Sequence, residues 1–150
     1  MTLQERVPSP EVAQDWIREC LSLHPEGAEL TVSGTCMAPA LREGARIRLQ
    51  SPTGPLRIGD VVLLRTAAGL RLHRVVLKFQ GAIRTKGDRG TYLDPAALGK
   101  EVIAVWATSE PRWRSLLNVG RSLARLLARP SAATEGANGK GDAAHARLLP

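Results

Sequence analysis

The sequence has few aromatic residues, few cysteines and no long apolar run. Three Trp, one Tyr and one Phe among 150 residues leave aliphatic side chains to fill a core. Two cysteines, Cys20 and Cys36, are too few for the disulfide framework of a small secreted domain and favour a reducing compartment. No apolar run approaches the ~20 residues of a membrane span, and the N-terminus lacks an apolar signal region. We therefore expect a cytoplasmic protein.

Acidic residues are also scarce relative to basic ones. Fourteen Asp and Glu face 21 Lys and Arg, which gives a net charge of +7. This balance permits nucleic acid, anionic lipid or an acidic peptide as partner. Because the sequence shows no nucleic-acid recognition motif and its aromatic residues are not interleaved with the charges, we expect no nucleic-acid binding.

Turn-forming residues are abundant, with 14 Gly and 10 Pro, and they separate short segments of alternating polarity. This pattern predicts about six strands in one domain, joined by short turns. The predicted strands lie in the segments ELTVSG, ARIRLQS, GDVVLLRT, GLRLHRVVLKFQG, AIRTKG and EVIAVWAT. A mainly β domain over residues 29–110 is therefore predicted.

Helical periodicity flanks these strands on both sides. The segment 1–28 holds a helix with Ser9 as N-cap, whose predicted core face carries Val12, Trp16, Ile17, Cys20 and Leu21. A basic amphipathic helix is predicted over 111–129, with Leu116, Leu123, Leu126 and Leu127 on one side beside Val119. That helix is either an ordinary packed helix with a solvated Arg face or a surface that binds an anionic membrane or an acidic peptide. Residues 130–150 have the composition of a disordered tail.

Four short motifs carry the chemistry, and they occur in a fixed order. The first is SGTCMAPAL, with Cys36 followed by Met37 and by Pro39. The next three are Gly59-Asp60 before an apolar strand, His73-Arg74-Val75 on the following strand, and Lys86-Gly87-Asp88 after the next turn. Any one of these motifs is weakly specific, but four in order over residues 30–106 are far more specific.

Together the motifs resemble those of the signal peptidase I family and its LexA-like relatives, the S24/S26 serine peptidases. The resemblance implies a coiled, barrel-like β sheet, a nucleophile at Cys36 and a general base at His73. The pattern HRVV, then TKGD, then Asp94 is similar to the His-base sub-type of endoplasmic-reticulum and archaeal enzymes. It leaves Asp94 or Asp88 as the carboxylate that orients the base, and it implies no cofactor and no metal.

The assigned roles make chemical sense. A peptide hydrolase needs a nucleophile whose proton a nearby base removes, and a carboxylate on the other ring nitrogen fixes the tautomer of that base. We expect the backbone N–H of Cys36 to point at the developing oxyanion. The family carries Ser where this chain has Cys36. A thiol loses its proton more readily than a hydroxyl, but its sulfur is larger, so an oxyanion site built for Ser can be misaligned.

These observations predict a soluble peptidase that cleaves a peptide or protein precursor. The alternative is a catalytically inactive relative that binds a precursor peptide or acts at the membrane surface through residues 112–129. A third reading is self-cleavage at Ala68-Gly69. Two Cys and three His at these spacings fit no zinc pattern.

Overall fold

A computed structural model describes residues 9–128 of the chain. The predicted tail over 130–150 and the first eight residues of the predicted N-terminal segment lie outside the described residues. The elements in chain order are α1 (Pro10–Leu23), β1 (Ala28–Thr31), β2 (Arg46–Gln50), β3 (Val61–Thr66), β4 (Gly69–Phe79), β5 (Ala82–Lys86), β6 (Ala97–Leu98), β7 (Val102–Trp106) and α2 (Arg112–Leu127), with a short 3-10 turn, Gly99–Glu101, before β7.

Helix α1 begins where the sequence predicts it, but it faces the core differently. The hydroxyl of Ser9 accepts a hydrogen bond from the N–H of Val12, and Pro10 stands at the first helical position. The buried residues are Gln14, Ile17 and Leu21. The prediction that Val12 and Trp16 face the core is wrong, since both are exposed. Helical spacing places them opposite the side on which Gln14 and Ile17 lie.

The seven strands form one antiparallel sheet in the order β1-β2-β7-β3-β4-β5-β6. A mainly β fold is thereby confirmed. Six strands match the predicted segments, and β6 is an additional strand of two residues. In β4 the pairing with β5 shifts between Val75 and Leu77, so the alternation of sides continues unbroken only as far as Val75.

The core lies on both faces of the central strand β3. Val61 and Leu63 pack into the larger apolar cluster, which contains the inward residues of α1. Val62 and Leu64 pack into a smaller cluster with Val75 and others on the second face. Burial on both faces explains why this strand reads as a continuous apolar run rather than an alternating one.

Helix α2 lies within the predicted range and packs beside the turn that precedes β3. A Cβ on Gly59 would lie 3.1 Å from the Cβ of Ser115, so the helix approaches this turn closely. The buried residues of α2 are Val119 and Ser122. The predicted leucine cluster is divided, because Leu123 and Leu126 are half-buried beside Val119, whereas Leu116 and Leu127 are exposed. Within residues 9–128, no helix has both the length and the apolar character needed to cross a membrane.

Candidate active site

Cys36 lies on the turn that joins β1 to β2. The N–H of Ala38 donates to the carbonyl of Thr35 at 3.0 Å, and the N–H of Leu41 donates to that of Met37 at 2.9 Å. Met37 is fully buried in the larger apolar cluster, so burial of its side chain anchors the turn to the core. Cys36 is half-buried against the same cluster, with its Sγ 4.0 Å from the carbonyl oxygen of Leu72. The thiol therefore lies directly beside strand β4.

His73 is held in the middle of β4, where it pairs with Val62 of β3. Its side chain is almost fully buried, and its Nδ1 is hydrogen-bonded to Oδ2 of Asp94. Because a carboxylate only accepts, Nδ1 carries the proton of this bond. The second ring nitrogen, Nε2, is directed toward the cysteine turn. It lies close to Gly87, which also contacts the backbone of Cys36. This tautomer leaves Nε2 available to accept a proton.

Asp94 follows β5 and is fixed from several sides. Its N–H donates to the carbonyl of Thr85 at 2.9 Å, and its Oδ2 accepts from the hydroxyl of the same residue at 2.6 Å. Its Oδ1 accepts from Nη1 of Arg71 at 3.0 Å. Burial acts to raise the pKa of Asp94, but the hydrogen bond and charge of His73, the Thr85 hydroxyl and the Arg71 charge outweigh it and hold that pKa below its ordinary value. Asp94 is therefore a carboxylate at neutral pH.

The cysteine and the histidine converge on Gly87. A Cβ built on Gly87 would lie 3.1 Å from Nε2 of His73, 3.3 Å from Cβ of Cys36 and 2.8 Å from the carbonyl oxygen of Cys36. The N–H of Arg89 donates to this carbonyl at 2.9 Å. Only a residue without a side chain lets the two chain segments approach this closely. Gly87 therefore sets the separation between the thiol turn and the imidazole.

Asp88 belongs to a different network from His73. Its two carboxylate oxygens accept from Nε and Nη2 of Arg74 at 2.8 and 2.7 Å, in a buried bidentate ion pair. Nη1 of Arg74 donates to the carbonyl of Gly59 at 2.9 Å. Of the two carboxylates left open by the sequence, the structure places Asp94 against His73 and Asp88 against Arg74. The chemical roles of Cys36, His73 and Asp94 remain predictions.

Lys86 is completely buried beneath helix α2. Its Nζ donates to the hydroxyl of Ser122 at 2.7 Å and to the carbonyl of Gly87 at 3.0 Å. Burial lowers the pKa of Lys86, and the positive charge of Arg125 lowers it further, while Asp88 and Asp94 act in the opposite direction. Arg125 also donates to the carbonyl of Asp88 at 2.7 Å. These bonds connect α2 to the loop on which Gly87 lies.

The two networks occupy opposite sides of the same pair of strands. Arg71 and His73 are two residues apart on β4, and Thr85 of β5 pairs with Val75, so all project to one side. Arg74 pairs with Lys86, and these two project to the other side. One side of the β4–β5 pair thus holds the His73–Asp94 pair, and the other holds the contacts to α2.

Sequence reasoning did not assign Thr85, Arg71 or Ser122 to the site. The position of Arg71 was detectable, because period two puts it on the same side of β4 as His73. Thr85 needs the pairing register with β4, and Ser122 needs the docking of α2. Neither the register nor the docking can be read from local patterns.

A cleft of the domain lies away from these residues. It measures about 340 Å³ and is lined mainly by apolar and small residues, among them Pro55, Leu56 and Ile83. Its lining includes neither Cys36 nor His73. Among residues 9–128, His, Cys, Asp and Glu form no group of three or more that could hold a metal ion.

Comparison with models of protein families, with curated proteins and with solved structures yields no match for this chain. The resemblance to the S24/S26 peptidases therefore remains a prediction from the four motifs. Any assignment of function rests on the geometry at Cys36, His73 and Asp94.

Proposed function

We propose that this chain hydrolyses peptide bonds, with Cys36 as nucleophile, His73 as general base and Asp94 as the carboxylate that orients the base. The observation that carries the proposal is the convergence at Gly87. Nε2 of His73 and Cβ of Cys36 both lie within contact distance of one point there, while Asp94 occupies Nδ1. A nucleophile, a base and an orienting group in this sequence are what acyl transfer requires.

The proposed reaction has two halves. In the first, the thiol proton passes to Nε2 of His73 and the sulfur of Cys36 bonds to the substrate carbonyl carbon. The C–N bond then breaks, and the leaving amine takes the proton from His73. In the second, water attacks the thioester, His73 accepts a proton from that water, and the sulfur leaves and recovers a proton. Asp94 stabilises the imidazolium that forms in each half.

The site also supports a class of substrate. Arg84 and Arg89 are exposed beside the site, and Arg84 donates from Nε to the carbonyl of Asp94 at 3.0 Å. The carboxylates of Asp94 and Asp88 are already paired with buried partners. Uncompensated arginines favour a peptide with acidic residues near the scissile bond. We therefore propose a peptide or protein precursor as substrate, acidic close to the cleavage point.

The first test is thiol alkylation, which needs no knowledge of the substrate. The chain supplies its own control, because Cys20 and Cys36 are both half-buried cysteines outside any disulfide. Iodoacetamide labelling, read by mass spectrometry of the two peptides across a pH series, should give Cys36 a half-maximal rate below about pH 8.5, the ordinary thiol value. In His73→Ala the profile of Cys36 should move up, while that of Cys20 stays in place. Identical profiles for the two thiols in the wild-type protein would contradict the proposed pair.

The second test is hydrolysis of a proteome-derived peptide library, with new amino termini identified by mass spectrometry. Wild-type protein should cut a defined set of peptides, and Cys36→Ala should cut none of them. Cys36→Ser should retain weak cleavage, since Ser is the residue of the family it resembles. The peptide-binding alternative would be supported by a different combination of results. In that case Cys36 is alkylated at low pH and peptides bind stably, but none of them is cleaved. Cleavage by Cys36→Ala at the wild-type rate would show that the nucleophile is wrong.

A further inference from the structure

Helix α2 packs against the domain through a side of mixed polarity. Ser122 is almost fully buried and accepts a hydrogen bond from Lys86, and Ser115 lies against the Gly59 turn. Val119 is the buried apolar residue of this helix. Leu123 and Leu126 are half-buried, so the apolar residues of this helix are divided between its inward side and the opposite one.

The opposite side of α2 is apolar and uncovered by the described residues. We call it the outer face and define it by residues exposed at helical spacing, namely Trp113, Leu116, Leu117, Gly120, Ala124 and Leu127. Trp113 is 57% exposed and Leu127 is 87% exposed. Residues spaced by three and four along a helix form one continuous strip. Single exposed leucines need no explanation, but a continuous strip that includes a tryptophan indicates an interaction surface.

The charges on α2 have one sign. The helix carries four arginines and no acidic residue. Arg112 lies 3.7 Å from Asp60, and Arg125 donates to the carbonyl of Asp88, so these two are directed at the domain. Arg114 and Arg121 are exposed and border the outer face along one flank. The guanidinium of Arg114 lies 5.4 Å from the ring centre of Trp113.

We propose that the outer face of α2 docks on the surface of an anionic lipid bilayer, with the helix axis in the plane of the headgroups. The apolar strip would enter the boundary between headgroups and acyl chains, where the indole of Trp113 is well accommodated. Arg114 and Arg121 would reach the lipid phosphates from the flank. The helix is about 24 Å long and carries arginines along its length, so it lies on a bilayer and does not cross it.

The charge pattern favours a bilayer over a second copy of this chain. Pairing two outer faces would bring Arg114 and Arg121 near the same residues of the other copy. Because α2 offers no acidic residue, these positive charges would remain uncompensated and would oppose association. An anionic lipid surface supplies negative charge wherever the helix lies. This inference is independent of the proposed peptidase activity.

The experiment is flotation of the full chain with vesicles, and it contains two matched comparisons. Vesicles of phosphatidylcholine with about 30% phosphatidylglycerol are compared with vesicles of phosphatidylcholine alone. Trp113→Ser is compared with Trp16→Ser, because Trp16 is similarly exposed, at 62%, on the unrelated helix α1. Leu127→Ser provides a second outer-face variant at a position where folding is least affected.

We expect binding to the anionic vesicles, weakening in 0.5 M NaCl, and much weaker binding to phosphatidylcholine alone. Trp113→Ser should reduce the partition coefficient about tenfold, and Leu127→Ser should reduce it severalfold. Trp16→Ser should leave it within about twofold.

The arginine flank is tested separately. Arg114→Gln should weaken binding to the anionic vesicles about fivefold, and Arg121→Gln should do the same. Arg42→Gln, at an exposed position outside α2, serves as the matched control and should have a smaller effect.

Three results would overturn the proposal. The first is absence of binding to anionic vesicles at low salt. The second is equal binding to both vesicle types, which would remove the role of the arginines. The third is concentration-dependent dimerisation that Trp113→Ser abolishes, in a chain that does not float, which would assign the outer face to a second copy.

Discussion

Gly87→Ala is the most direct perturbation of the proposed site, because it adds one methyl group where two segments meet. The new Cβ would stand 2.8 Å from the carbonyl oxygen of Cys36 and 3.1 Å from Nε2 of His73. The φ of Gly87 is not in the left-handed region, so alanine introduces no backbone strain of its own. The effect is therefore purely one of space.

The size of the effect follows from these distances. An ordinary contact of carbon with backbone oxygen exceeds the available 2.8 Å by about half an ångström, and the oxygen belongs to the main chain, so the cysteine turn itself must move. Overpacking of this kind costs about 1–3 kcal/mol of unfolding free energy. Because a displacement of about 1 Å costs on the order of 10²-fold in rate, a displacement of half that size should reduce the proposed peptide hydrolysis about tenfold.

Two measurements test this reasoning. Urea unfolding gives the change in stability, and the pH profile of Cys36 alkylation reports the thiol–imidazole pair without a substrate. The matched control is Gly90→Ala on the same loop, where the nearest atom to a new Cβ is 3.5 Å away, an ordinary contact. We expect Gly90→Ala to resemble wild type in both assays. If Gly87→Ala also had wild-type stability and an unchanged Cys36 profile, the close approach at Gly87 would not be the feature that builds the site.

Three further predictions concern the buried charges. Since the pKa of Asp94 is held below its ordinary value, Asp94 stabilises the fold at neutral pH and this contribution is lost as the pH falls below about 4. Asp94→Asn should therefore flatten the acid limb of unfolding free energy against pH, measured by urea titration from pH 3 to 7. Asp88→Asn leaves the guanidinium of Arg74 buried without its full charge partner and should cost about 3–5 kcal/mol in the same assay at pH 7; a loss below about 1 kcal/mol would contradict the buried pair. Since the pKa of Lys86 is lowered, stability should rise with pH as the pH approaches about 10.4, and Lys86→Met should abolish that rise.

The strands were largely predictable because their signals are local. Alternation and flanking turn residues place β2, β3, β4 and β5 within a residue or two of their observed ends. Strand β6 was missed, since Ala97 and Leu98 form a strand too short to show any period. The bulge near Val75 was missed as well, because nothing in the run of apolar residues marks an extra residue.

The side of each helix that contacts the core was harder to predict than the position of the helix in the chain. In α1 the apolar residues lie on more than one side, and the core contacts Ile17 and Leu21 while leaving Trp16 outside. In α2 the predicted leucine cluster is only partly covered, and Ser122 and Arg125 form hydrogen bonds to the domain that the leucine spacing does not indicate. Helical periodicity shows on which sides of a helix the apolar residues lie. It does not show which of those sides is buried against the rest of the domain.

Candidate site residues could be predicted from the sequence where they belong to one of the motifs. The motifs single out Cys36, His73 and Asp94, and the structure brings these three residues to one place. The sequence does not distinguish Asp94 from Asp88, because both follow strand β5. In the structure, Asp94 forms two hydrogen bonds with Thr85, while Asp88 forms an ion pair with Arg74.

The placement of His73 and Arg74 on opposite sides of β4 also limits how this chain can change. Deleting one residue between Gly69 and Leu72 would shift the register of the rest of β4 by one position. Arg74 would then project to the side on which Asp94 lies, in place of His73. Such a deletion would exchange the two networks at once and disable both. The turn that carries Cys36 lies outside the paired strands, so its residue can be exchanged without disturbing the register. A substitution at Cys36 therefore leaves the pairing of β4 intact, whereas a change in the length of β4 before His73 does not.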